Sequence, residues 1–256
     1  MPTQLGPDEH LAALLSAGER LRDAAHRAGP AAPVPTCPAW DVRKLVLHTG
    51  MVHRWARANL RGEPANKTRH WQDEGAAVPD LLAWFADGVA ALVETIRATP
   101  DDAKAMVFLK DAPPPRRFWA RRQAHETTIH AADAVAAVLG RAPTVDDFPV
   151  DPAIAADGID ELLCGFITRG RNKLPLTRPM TIVVSAQDTG HAWTIVAKDN
   201  APLATTIGAA DRPDIQLTGT VAQLYLGLWN RGEEVIEQGD ADFLSIWRKS
   251  IKVRWS

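Results

Sequence analysis

The hydrophobic period of this chain changes at Pro143, and no single kind of secondary structure accommodates both halves. Before Pro143, apolar residues recur at helical spacing in four segments cut apart by proline and glycine. The first spans about Asp8 to Arg27, carries Leu11, Leu14, Leu15 and Leu21, and ends at Gly29-Pro30. A proline-rich connector, PAAPVPTCP, then leads to Asp41, a natural N-cap for a second helix with Val42, Leu45, His48, Val52 and Trp55 on one side and an end near Leu60. After a polar loop rich in charge and histidine, Pro79-Asp80 opens a third segment whose Leu81, Leu82, Phe85, Val89, Leu92 and Ile96 keep the 3.6-residue period until Pro100. The prolines of KDAPPPRR exclude helix, and a fourth segment runs from about Phe118 to Leu139, closed by Gly140. Four such helices in sequence predict an antiparallel four-helix bundle.

Beyond Pro143 a helix is expected from about Pro152 to Ile167, followed by MTIVVSA, HAWTIVA and DIQLTG. These alternate, are rich in β-branched residues, and are separated by turns at Asp188-Thr189-Gly190 and Asp199-Asn200. Helical spacing returns over Val221 to Trp229 and Asp242 to Lys249. The fold class predicted is therefore α plus α+β: a helical bundle over residues 1–145, then a small α+β domain with an antiparallel sheet over 146–256. A chain of 256 residues is long enough for each to bury its own core.

Bulk properties narrow the function. A formal net charge of -2 provides no electrostatic footprint for nucleic acid. No apolar run approaches a membrane span, and MPTQLGPDEH lacks the basic start of a secretory leader, so a soluble, cytoplasmic monomer acting on small molecules is expected. The Asn66-Lys67-Thr68 sequon would matter only in a secreted protein. Cys37 and Cys164 have no metal-type spacing, which leaves nitrogen and oxygen as the ligands of any metal ion.

Such ligands are present. Glu126 and His130 stand four residues apart on the fourth helix, about 40° of rotation, so they project from one face a turn apart. His125-Glu126 resembles the start of a zinc-protease HExxH pattern, but the next histidine follows by five residues, which turns it about 140° away. A third donor must come from another helix, and His48, inside the stripe between Leu45 and Val52, is the best placed; His53 points elsewhere. Two nitrogens and a carboxylate leave coordination positions open, as in a catalytic site. Zinc suits this set, and nickel, iron and manganese also accept it. Asp133, three residues after His130, is positioned to enter the shell or to hold a ligand from behind it. The competing readings are a hydrogen-bonded core histidine at 48 and a surface ion pair of Glu126 with Arg121 or Arg122.

The segments VPTCPAWDVRKLVLHTGMVHRWA and RRQAHETTIHAADA together resemble the mycothiol-dependent maleylpyruvate isomerase family, and TGTVAQLYLGLWNRG is similar to that family's C-terminal domain. The resemblance spans nearly the whole chain. It implies a DinB-like metal-binding bundle followed by a sterol-carrier-like domain, with His48, Glu126 and His130 as ligands. It also implies a zinc-like ion that activates mycothiol as cosubstrate, and an unsaturated acid or other electrophile as substrate. Cis-trans isomerisation by reversible thiolate addition, mycothiol S-transfer to an electrophile, and a non-catalytic metal-containing binding protein are the functions to be weighed. Arg231 matches a family arginine associated with activity and would serve catalysis and cofactor binding by gripping a carboxylate; a helix-end surface arginine is the equal alternative. Cys37 reads as a packing residue, since no base is identifiable beside it. Trp40, Trp55, Trp71, Trp84, Trp119, Trp193, Trp229, Trp247 and Trp255 read mostly as core or interface fillers.

Overall fold

The computed structural model describes residues 5–64, 68–109, 111–170, 174–176, 178–198, 201–239 and 242–253. Asn66-Lys67 of the sequon, the Asp199-Asn200 turn and Trp255 lie outside them. Among the described residues, eight α-helices and a five-stranded mixed sheet are distributed over two compact units. One consists of Gly6–Phe108 and Ala112–Pro143, the other of the chain from Thr144 onward with the short stretches Met1–Leu5 and Leu109–Asp111.

The first unit contains α1 (Pro7–Ala28), α2 (Val42–Leu60), α3 (Thr68–Ala77), α4 (Leu81–Ala98) and α5 (Pro115–Leu139). Local chemistry sets most of their ends. The Glu9 carboxylate accepts the Gly6 amide ahead of α1, Asp41 accepts the Lys44 amide and Asp80 that of Ala83, each satisfying an orphan donor of a first turn. Gly140 closes α5 in the left-handed region at φ 69°, which costs a glycine nothing. α1 packs chiefly along α5 and also against α4, while α2 packs against α4 and α5. Leu11, Leu14, Leu21, Leu45, Phe85 and Leu92 supply the apolar filling.

Two expectations change here. The segment expected as a polar loop contains α3, which owes its helix to packing rather than pattern. Glu74 accepts the indole N–H of Trp84 at 2.7 Å, Arg43 donates to the Ala76 carbonyl, and Gly75 lies against Trp84 and Leu47 without room for a side chain. α5, moreover, has no solvent face over Phe118–Ala136, where every residue is buried. Its polar side chains are inside and must be partnered there.

In the second unit Asp151 caps α6 (Pro152–Asp160), which loosens into a π-helical stretch over Glu161–Phe166 and a 3-10 turn over Ile167–Arg169 before Gly170. The strands are β1 (Met180–Ala186), β2 (Ala192–Ala197), β3 (Ala204–Ile207), β4 (Ile215–Gly219) and β5 (Ile236–Gly239), with α7 (Val221–Leu228) between the last two and α8 (Phe243–Ser250) after them. Their order is β3-β2-β1-β4-β5. The expected antiparallel sheet is in fact mixed: β1 pairs antiparallel to β2 but parallel to β4. The hairpin and β3 return the chain in the direction of β1, and β4 then joins the free edge of β1 in that same direction. Register aligns Ile182 with Ile195 and Ile215, and Val184 with Trp193 and Leu217, so one continuous face of fully buried apolar residues results. β3 and β5 escaped sequence reading because they are four-residue edges, mostly exposed and without alternation.

Candidate metal centre

α2 and α5 lie against one another, and helix phase turns His48 from the first toward Glu126 and His130 from the second. Glu126 Oε1 is 3.2 Å from His130 Nε2 and 3.6 Å from His48 Nε2. One donor atom from each of the three residues lies within 4.8 Å of the other two. Ligand atoms about 2.1 Å from a tetrahedral ion stand about 3.4 Å apart, so both separations from Oε1 fit the edges of such a shell. The second Glu126 oxygen, Oε2, accepts from Arg122 Nη2 at 3.3 Å. Arg122 has no solvent exposure, so this ion pair is interior and not the surface pair considered from sequence.

Asp133 stands behind His130. Its Oδ2 accepts from His130 Nδ1 at 2.9 Å, which assigns the proton to Nδ1 and turns Nε2 toward Glu126. The same carboxylate accepts from the Thr36 hydroxyl at Oδ1 and from the Cys37 thiol at 3.5 Å. Trp40 covers the histidines, its ring centroid 4.7 Å from that of His48 and 5.7 Å from that of His130. Sequence reading missed Thr36 and the placement of Trp40, and took Cys37 as packing. The only signal for the three was that the connector immediately precedes the cap of α2.

Charge follows this geometry. Burial by itself lowers the pKa of His130, but the hydrogen bonds and charges of Asp133 and Glu126 outweigh it and raise the group to about 9. Burial pushes Glu126 up, yet His130, His48 and Arg122 together hold it well below the usual carboxylate range. The metal-free centre is thus a buried imidazolium-carboxylate cluster.

His53 and His125 are directed elsewhere. His53 Nε2 is 2.8 Å from Thr127 Oγ1 and burial depresses its pKa to about 3, so it is a neutral interior histidine. His125 meets His10 edge-on at 6.1 Å. Arg231 belongs to the second unit, just past α7, where its Nη1 donates to the Trp229 carbonyl at 2.8 Å. Among the described residues no helix is long and apolar enough to cross a membrane.

The profile of the mycothiol maleylpyruvate isomerase N-terminal domain matches residues 5–135, and that of the corresponding C-terminal domain matches residues 153–240. The crystal structure of a mycothiol-dependent maleylpyruvate isomerase superposes with a TM-score of 0.64 at 18% identity, covering 94% of this chain and 98% of the other. A histidine-to-alanine mutant of such an isomerase superposes with the same score and coverage at 17% identity. At these identities the likeness establishes the fold. No curated protein sequence matches.

Proposed function

The chain belongs to the mycothiol maleylpyruvate isomerase family, an enzyme family, and from that premise we propose that it is a metal-dependent, mycothiol-dependent isomerase. The observation that carries this reading is the convergence of His48 Nε2 and His130 Nε2 on Glu126 Oε1, at 3.6 and 3.2 Å, separations that suit ligands of one divalent ion. These three side chains are the proposed ligands, zinc the ion that best suits them, and Arg122 and Asp133 the groups that hold two of them in place. In the same reading the four long helices of residues 1–145 form a DinB-like antiparallel bundle, and residues 146–256 a sterol-carrier-like domain.

A divalent ion bound there supplies one thing, a lowered thiol pKa that keeps mycothiol as the thiolate near neutral pH. The chain's own residues do the rest. Arg122 occupies Glu126 Oε2 and leaves Oε1 for coordination. His48, with 19% of its side chain exposed, is the ligand on the accessible side, and Trp40 beside it narrows the approach and presents an apolar wall. Arg231 is proposed to bind a carboxylate of the thiol or substrate as a bidentate donor. The reaction is reversible addition of the thiolate to a carbon-carbon double bond conjugated to a carbonyl, rotation about the resulting single bond, and departure of the thiolate as the trans isomer forms.

Elemental analysis of the purified protein followed by calorimetric titration with mycothiol tests the reading. Stoichiometric divalent metal, and proton release on thiol binding that disappears after metal removal, are expected. Thiol binding without proton release would mean that the sulfur never reaches the ion.

A further inference from the structure

We propose that Thr36 is a positioning residue of the metal centre, fixing the Asp133 carboxylate and, through it, the ring of His130. The inference rests on the metal reading above and extends it to a segment that supplies no ligand.

The connector carrying Thr36 is a closed loop with its own hydrogen bonds. Pro33 and Asp41 form an isolated antiparallel bridge, the Val34 amide donates to the Trp40 carbonyl at 3.1 Å, and the Cys37 and Trp40 amides donate to Val34 and Cys37 at 2.9 and 2.8 Å. Val34, fully buried, anchors it. Four prolines between positions 30 and 38 restrict the backbone further. Such a loop loses little entropy in presenting a side chain, because its conformation is already set.

What it presents converges on Asp133 and His130. The Thr36 hydroxyl donates to Asp133 Oδ1, while His130 Nδ1 donates to Oδ2. A carboxylate held at only one oxygen can rotate about its Cβ–Cγ bond; held at both, its plane is fixed, and with it the direction of the bond to His130. The Cys37 thiol, a weak donor at 3.5 Å from Oδ2, adds little to that restraint. Trp40 of the same loop lies with its ring centroid 5.7 Å from that of His130 and its ring plane at 30° to it. The loop therefore braces His130 by hydrogen bonding through Asp133 and by ring contact, and Nε2 remains aimed at the space shared with His48 and Glu126. Groups that orient metal-bound histidines typically change metal affinity 10–100-fold when removed.

The test compares Thr36→Val, which keeps the shape but removes the hydroxyl, with Thr36→Ser, which keeps the hydroxyl. Each full-length protein is stripped of metal, checked for unchanged thermal unfolding by circular dichroism, and titrated with Co²⁺ alone against a competing chelator while the visible absorption is recorded. Thr36→Val is expected to weaken Co²⁺ binding about 10–100-fold and to alter the ligand-field bands, with Thr36→Ser restoring both. Wild-type-like binding and spectrum in Thr36→Val would overturn the proposal, as would equal loss in Thr36→Ser, since packing of the methyl group would then be responsible. Failure of the wild-type protein to take up Co²⁺ would instead overturn the metal reading, and this inference with it. Should Thr36→Val fail to fold, Thr36→Ala, which also removes the hydroxyl and leaves Asp133 in place, must reproduce the affinity loss and spectral change for the proposal to stand.

Discussion

Raising the pH from 7 to 9 should strengthen metal binding about 50-fold, because the metal-free protein holds a proton that the ion must displace. His130 has its pKa raised to about 9 by Asp133 and Glu126. At pH 7 only about 1% of the metal-free protein then carries neutral His130, and the apparent binding constant is depressed about 100-fold. The sign follows from linkage: the protonated cluster stabilises the metal-free fold fully below pH 6.5, and this contribution is lost as the pH rises through 9. Bound metal needs the neutral ring, so affinity changes in the opposite direction. Chelator competition between pH 6.5 and 8.5 should give a tenfold gain per pH unit. Calorimetry at pH 7 in buffers of different ionisation enthalpy should register close to one proton released from His130 per ion bound. Asp133→Asn removes the largest single interaction raising this pKa, the hydrogen bond to His130, and should flatten the profile above pH 7 while weakening affinity at high pH. A wild-type profile flat above pH 7.5 would refute the reasoning, since an unperturbed histidine, of pKa about 6.5, is already mostly neutral there.

His48→Ala, Glu126→Ala and His130→Ala should each lose most of the bound metal by elemental analysis, whereas His53→Ala and His125→Ala retain it, because the latter pair turn to Thr127 and His10. Equal metal loss in His125→Ala would contradict the phase of α5. Gly50→Ala should destabilise the protein by about 1–3 kcal/mol in denaturant unfolding despite alanine's higher helix propensity, because the new methyl overlaps the Trp84 ring where α2 meets α4. Arg231→Ala should weaken mycothiol or substrate binding, measured calorimetrically, at unchanged metal content; loss of metal in this variant would argue that the arginine acts on the fold and not on the ligand.

What could be read in the sequence was whatever is decided within a helical turn or two. The caps at Asp41 and Asp80 and the stop at Gly140 are local satisfactions of backbone groups, and they appear where the residues require them. The shared face of Glu126 and His130 is likewise a consequence of 3.6 residues per turn, and the stripe containing His48 indicates the side of α2 that must face inward. Contacts between distant segments were not legible. α3 lacks an apolar period and is a helix because Trp84 and Arg43 hold it. Short edge strands and the parallel β1–β4 pair depend on which edge of β1 the returning chain meets. The interior pairing of Arg122 with Glu126 depends on α5 being buried along most of its length, for which its own sequence, polar at many positions, provides no pattern. Thr36 and Asp133 are 97 residues apart. Their meeting is set by the packing of α2 against α5 and by the loop that enters α2, and only tertiary structure decides that.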